Sequence, residues 1–152
     1  MQVETENKAI ALLPQINEEL LREAEDIFRK HGDFTDDVLL ALHSLYGNPF
    51  ERALELLEKN CVVFLRTTNK LRYVIQVKVT GSSGTPYTIF PSVNYCSCPA
   101  YRYHVAGTQT DLTCKHVLAG KLCEIMGKGR EVVVSANEMI RILCSAAKLD
   151  TK

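Results

Sequence analysis

Two tight pairs of residues form a set able to do chemistry: Cys96-Ser97-Cys98 and, fifteen residues later, Cys114-Lys115-His116. Thiolate sulfur and imidazole nitrogen are donors that Zn²⁺ takes four at a time in structural sites, and a Zn–S distance of about 2.3 Å puts two such sulfurs roughly 3.8 Å apart. Residues i and i+2 of a strand point to one face, so Cys96 and Cys98 start with the right direction, but the strand has to curl there. Pro99 agrees with a strand ending at the metal. Cys114 and His116 lie about 200° apart on a regular helix, so both can ligate only if Cys114 precedes the helix and His116 sits in its first turn. A helix N-terminus also favours a thiolate. Ala119, one turn on, leaves room for close backbone packing on that face.

The competing reading makes all six cysteines small buried hydrophobes, and it suits Cys61, Cys123 and Cys144. It does not account for two tight pairs across a loop, and Cys96/Cys98 has poor disulfide geometry in a strand. The expected site is therefore one structural Zn²⁺ on Cys96, Cys98, Cys114 and His116. His104, in the intervening loop, is the alternative fourth ligand. Three thiolates and an imidazole close the tetrahedron and blunt the Lewis acidity of the metal. The sequence shows no Gly-rich phosphate loop and no carboxylate pair near the metal to act as acid and base. The expectation is a non-enzyme with no small-molecule substrate, in which loss of a ligand such as Cys98 or His116 unfolds residues 90–130 and leaves the first three helices partly formed.

Elements that would position these residues are readable from periodicity. Helices are expected over 15–31 (Ile16, Leu20, Ala24, Ile27 and Phe28 inward), 35–46, and from Asn48, where Pro49 and Glu51 complete a helix start. The third helix would turn Phe50, Ala53, Leu54 and Leu57 inward. Strands follow at 61–67, 71–79 (half-buried by alternation) and about 86–90, joined by Thr68-Asn69-Lys70 and the turn 81–85, and Pro91-Ser92 separates the third from a short fourth segment, 93–98. Connections this short imply an antiparallel meander. A helix over 115–126, a short strand at 132–134, and a last helix opened by a Ser135/Glu138 capping box complete the chain, with Met139, Ile140, Leu143 and Ala147 inward. The fold class is α+β: N-terminal helices, an antiparallel meander, a ββα-like finger and a C-terminal helix.

The 152 residues carry no net charge, but the charge is divided. Residues 1–60 hold 13 acidic and 6 basic residues, residues 61–130 hold 2 and 9, and no acid lies between Cys61 and Thr110. Three regions are expected: an acidic helical 1–60, a basic 61–130 with its finger core at 95–119, and a tail 131–152. The basic region either neutralises the acidic one or meets an anionic partner. Arg66, Lys70, Arg72, Lys78, Arg102 and Lys115 are the candidates for nucleic-acid contact, with Tyr73, Tyr87, Tyr95, Tyr101 and Tyr103 available to stack on bases. The opening MQVETENK has none of the features of a secretory signal, and no apolar run reaches the roughly 18–20 residues that span a bilayer. A reducing compartment, cytosolic or nuclear, is expected, with no membrane partner.

YCSCPAY (95–101) and CKHVLA (114–119) resemble the two halves of a SWIM zinc finger. With N-terminal helices, a sheet and one central finger, the chain resembles the small SWIM-domain subunit of the Shu recombination complex. That resemblance implies a nuclear protein that pairs with a RecA-like ATPase paralogue and helps a recombinase assemble on single-stranded DNA. SWIM fingers also occur in ubiquitin ligases, which leaves substrate recruitment in ubiquitin transfer as a further expectation.

Overall fold

Val62-Val63-Phe64-Leu65 is apolar at every position, a pattern a strand tolerates only when both its faces are covered. In the computed structural model all four are buried. The structure describes residues 2–69, 73–78, 86–90 and 93–148, with side chains from 15 to 147. The elements run α1 (Gln2–His31), α2 (Asp36–Tyr46), α3 (Asn48–Glu58), β1 (Val62–Thr67), β2 (Tyr73–Val77), β3 (Tyr87–Ile89), a wide π-helical turn (Tyr101–Gly107), α4 (Lys115–Ile125), β4 (Arg130–Val134) and α5 (Ala136–Lys148). The fold is mixed α+β, and two compact units are distinguishable, Met1–Gly47 and Asn48–Lys152.

In the first unit α1 begins well before residue 15, because residues 2–13 are rich in the strong helix formers Glu, Lys, Ala and Leu. Ala24 is buried and Leu20, Ile27 and Phe28 are half-buried, but Ile16, expected inward, is exposed. The Thr35 hydroxyl caps α2 by accepting from the Val38 amide. Phe34 packs on Phe28 with ring centroids 5.1 Å apart.

The second unit is built on a sheet of order β3-β2-β1-β4. β1, β2 and β3 form the expected antiparallel meander, with Phe64 opposite Ile75 and Ile75 opposite Ile89. β4 adds to the other side of β1 in parallel, Leu65 facing Val132, so the sheet is mixed. The reason is the connection: the chain returns to β4 only after the finger and α4, long enough for a crossover. Expectations on Lys70, Leu71, Arg72, Val79, the 81–85 turn and Pro91-Ser92 lie outside the described residues.

Helices cover both faces of this sheet. α4 lies over the face carrying Ile75 and Ile89, buries Leu118 and Leu122, and packs against α3. Its Gly120 brings the helix so close that an added Cβ would stand 3.3 Å from Ile75 Cδ1. On the other face Val63, Leu65, Val74 and Val134 form a core with Met139 of α5, flanked by Ile142 and Leu143. β2 is thus buried on both faces, not half-buried as its alternation suggests; even Gln76 is enclosed. Two helix faces also differ from expectation. α3 buries Phe50, Ala53 and Leu56, with Leu54 and Leu57 at its margin; α5 buries Met139 and Ala146, while Ile140 and Ala147 are exposed. The Ser135/Glu138 capping box forms: the Glu138 amide donates to Ser135 Oγ at 3.2 Å, and the Ser135 amide to Glu138 Oε2 at 3.0 Å.

Candidate metal centre

After β3 the chain doubles back and lays Cys96 beside Ile89 in an isolated antiparallel bridge. Ser97 fixes this knuckle twice: its hydroxyl accepts from the Thr88 amide at 3.0 Å, and its own amide donates to the Thr88 carbonyl at 3.2 Å. Cys96 and Cys98 are thereby turned into the same interior. Pro99 then opens a helical turn, for which its fixed φ is suited. The Tyr101 amide donates to Cys98 Sγ at 3.2 Å.

The second pair has the geometry expected of it. Cys114 is the N-cap of α4, in extended conformation, and its sulfur accepts from the Val117 amide at 3.5 Å. His116 is in the first turn, and Tyr87 of β3 lies against its imidazole with ring centroids 4.5 Å apart. Ala119, below it, is fully buried.

The four donor atoms lie within 4.8 Å of one another, and all four residues are buried. His116 Nδ1 is 3.8 Å from Cys96 Sγ, while its Nε2 is buried with no hydrogen-bond partner. Three thiols compressed together share protons unequally. Thiols of Cys114 and Cys96 donate to Cys98 and hold it well below the ordinary thiol range. Cys96 is pushed far up by its bonds to Cys114 and Cys98, then by burial. For Cys114 the bond to Cys96 pulls downward, but the bond to Cys98 and burial outweigh it and push it up to about 12. A buried set of this kind loses all its protons only to a cation. One zinc ion fits it: the donors are three soft sulfurs and an imidazole, the number and type of a closed structural site.

The comparisons agree with this donor set. The chain is 33% identical over 131 residues to zinc finger SWIM domain-containing protein 7 of Mus musculus, an alignment covering 86% of this chain and 84% of the relative. The proteins of the same name from Homo sapiens and Danio rerio are each 31% identical, covering 90% and 91% of this chain and 96% and 97% of theirs. The chain belongs to the zinc finger SWIM domain-containing protein 7 family. No protein-family model matches the chain. No solved structure matches it either.

Membership in the zinc finger SWIM domain-containing protein 7 family identifies the cluster as its zinc site, held by Cys96, Cys98, Cys114 and His116. His104 is exposed on the π-helical turn, its backbone carbonyl accepting from the Thr110 and Asp111 amides, and it is not among the clustered donors. Of the remaining cysteines Cys61 and Cys123 are buried, but Cys144 is exposed, contrary to its reading as a core residue.

Asn94 escaped the sequence reading, because no spacing marks it. It clamps the two halves of the finger together. Its Nδ2 donates to the Leu112 carbonyl at 2.8 Å, its Oδ1 accepts from the Thr113 hydroxyl at 2.7 Å, and its carbonyl accepts from the Tyr101 hydroxyl. Asn94→Ala is expected to lower stability by about 0.5–1.5 kcal/mol, the net contribution of hydrogen bonds at a partly exposed site. It should also speed zinc loss to a chelator. Unchanged zinc release and thermal midpoint would show that the clamp carries no energy.

The structure places the described candidates for nucleic-acid contact on different elements. Arg66 is engaged within the fold, 2.9 Å from Glu131 and over the ring of Tyr73. Arg102 is exposed on the π-helical turn, and Lys115 is half-buried at the start of α4. Lys78 follows β2 at the strand ends that adjoin the C-terminal side of α4. Lys70 and Arg72 lie outside the described residues. Four of the five tyrosines serve the fold: Tyr73 donates to Glu124, Tyr87 packs on His116, Tyr95 stacks on Phe90, and Tyr101 reaches Asn94. Tyr103 alone of the five stands largely in solvent, at 64%.

Proposed function

We propose that this protein is a non-enzymatic zinc-dependent adaptor in homologous recombination, a nuclear protein that pairs with a RecA-like ATPase paralogue and promotes recombinase assembly on single-stranded DNA. The observation that carries the reading is the closed Cys96/Cys98/Cys114/His116 site in a chain of this family. Such a donor set stabilises structure and leaves no coordination position for a reacting ligand. The chain also has no phosphate-cradling loop, so ATP chemistry belongs to a partner. Exposed apolar side chains, Val133 on β4 and Ile140 on α5 among them, are available for protein contact. Among the described residues no helix is long and apolar enough to cross a membrane.

The test is affinity purification of the tagged protein from its own cells with mass spectrometry, alongside Cys114→Ala. Recovery of a RecA-like ATPase with the native protein, and its loss with the variant, is the expected result. Recovery of ubiquitin-ligase subunits instead would favour substrate recruitment and end the recombination reading. Direct contact with single-stranded DNA is a second reading, favoured by a cluster of cations away from the metal.

A further inference from the structure

The cations that the fold gathers are not the ones nearest the finger. At one end of the sheet a cleft of about 710 Å³ is lined by Lys59, Lys78, Lys128 and Arg130 over a floor that includes Cys61 and Val62. The four come from three separate stretches: Lys59 follows α3, Lys78 follows β2, and Lys128 and Arg130 flank Gly129 where the turn after α4 enters β4. All four are exposed, and no acidic side chain lines the cleft. Among the described residues none of the four has an ion-pair partner. Lys59 belongs to the acidic stretch of the sequence, and folding alone brings it to the other three.

The cleft is separate from the zinc site. The metal ligands sit at the N-terminus of α4 and Lys128 lies just beyond its C-terminus, so the eleven residues of the helix place about 16 Å between them. Two helices, α3 and α4, end beside the cleft, and each helix C-terminus brings about half a negative charge. Four cations outweigh that and leave the lining positive, while Glu124 and Glu131 line the adjoining cavity that shares Lys128 and Gly129.

The chemistry of the rim narrows the ligand. Three of the four cations are lysines, point charges that hold phosphate without a fixed geometry, and the planar fork of Arg130 can pair with phosphate as well. No aromatic residue lines the cleft, so nothing there stacks on a base. We propose that the cleft of Lys59, Lys78, Lys128 and Arg130 binds the phosphodiester backbone of single-stranded nucleic acid, without regard to base sequence. The choice of nucleic acid among phosphate-bearing polymers rests on the recombination reading; the charge and shape of the cleft do not.

The test uses the zinc-loaded full chain and a fluorescent oligo-thymidylate, followed by anisotropy across a salt series. Contacts with four phosphates of a single strand predict a log–log salt slope of about −2.8, which weakens binding roughly 50-fold between about 50 and 200 mM salt. Lys59→Gln, Lys78→Gln, Lys128→Gln and Arg130→Gln combined should lower affinity at least tenfold at the lower salt and flatten that slope, with zinc content unchanged. If the combined variant does not fold, Lys59→Gln/Lys128→Gln is read instead and should halve the slope. Unchanged binding in these variants would overturn the proposal. So would loss of binding confined to Arg102→Gln/Lys115→Gln, or polyglutamate competing as well as unlabelled oligonucleotide. Running the cleft variant through the affinity purification separates the two readings. Retained ATPase with lost oligonucleotide binding supports the cleft. Absence of the ATPase from the native protein's own purification counts against the adaptor reading and leaves the anisotropy result standing.

Discussion

Stripping zinc with a chelator, or replacing Cys98 or His116 by Ala, is expected to unfold residues 48–152 while the helices of residues 2–47 keep their hydrogen-exchange protection. Structural zinc contributes about 10–16 kcal/mol of apparent binding energy in small fingers. A domain of this size has only about 5–15 kcal/mol of net stability. The path of the damage is visible in the packing. His116 fixes the first turn of α4, and the same helix supplies Leu118 and Leu122 to the sheet and a surface to α3. The loss should therefore extend beyond residues 90–130, where the sequence alone confines it, to take in α3 and β1. Native-like protection in α4 and β3 after metal removal would refute this.

Proton release measures the same event independently. Metal ligation requires thiolates, so zinc affinity rises with pH and falls as protons compete. In an unfolded chain the three thiols titrate near 8.5, so at neutral pH about three protons leave per zinc bound and log affinity rises by about three per pH unit. In a metal-free site that kept its fold, the thiols of Cys114 and Cys96 hold Cys98 below the ordinary thiol range, so a slope clearly below three would mean that the pocket survives without its metal, against the unfolding expected here.

What was legible in the sequence follows from where specificity lies. Zinc accepts few donor types at short range, so Cys96, Cys98, Cys114 and His116 show in the spacing with the turn and cap that their geometry demands. Helix faces are looser. In α5, both Met139/Ile140/Leu143/Ala147 and Met139/Ile142/Leu143/Ala146 suit a helical stripe; the outer face of the sheet, with Val63, Leu65 and Val74, selects the second. The parallel placement of β4 is not local information, since it depends on where the finger and α4 return the chain. Asn94 and the basic cleft were illegible for a related reason. Asn94 acts through atoms eighteen and nineteen residues away, and Lys59 meets Lys128 only after the sheet has formed. The tyrosines belong here too: an apolar ring with a polar tip serves a core as readily as a binding face, and the composition does not distinguish them.

Gly129→Ala is expected to lower stability by about 2–5 kcal/mol in urea denaturation. Two costs combine. Gly129 has φ +102, which an L side chain adopts only at about 1–2 kcal/mol. An added Cβ would also stand 2.4 Å from Phe64 Cε2, 2.9 Å from Cδ2 and 3.0 Å from Cys123 Sγ, and overpacking of this kind adds about 1–3 kcal/mol. Phe64 has little freedom to yield, being buried in β1 between Ile75 on β2 and Glu131 on β4. Gly127 provides the control within the same turn. Its φ is also positive, at +61, but nothing lies within 4 Å of its missing Cβ, so Gly127→Ala should cost only the conformational part, about 1–2 kcal/mol. Phe64→Leu combined with Gly129→Ala should recover the contact part and leave the conformational one, so the two substitutions should couple in a double-mutant cycle. Equal losses at the two glycines would show that Phe64 moves aside freely. Unequal ones would establish that this turn, which holds Lys128 and Arg130 at the cleft, is fixed by the β1 core beneath it.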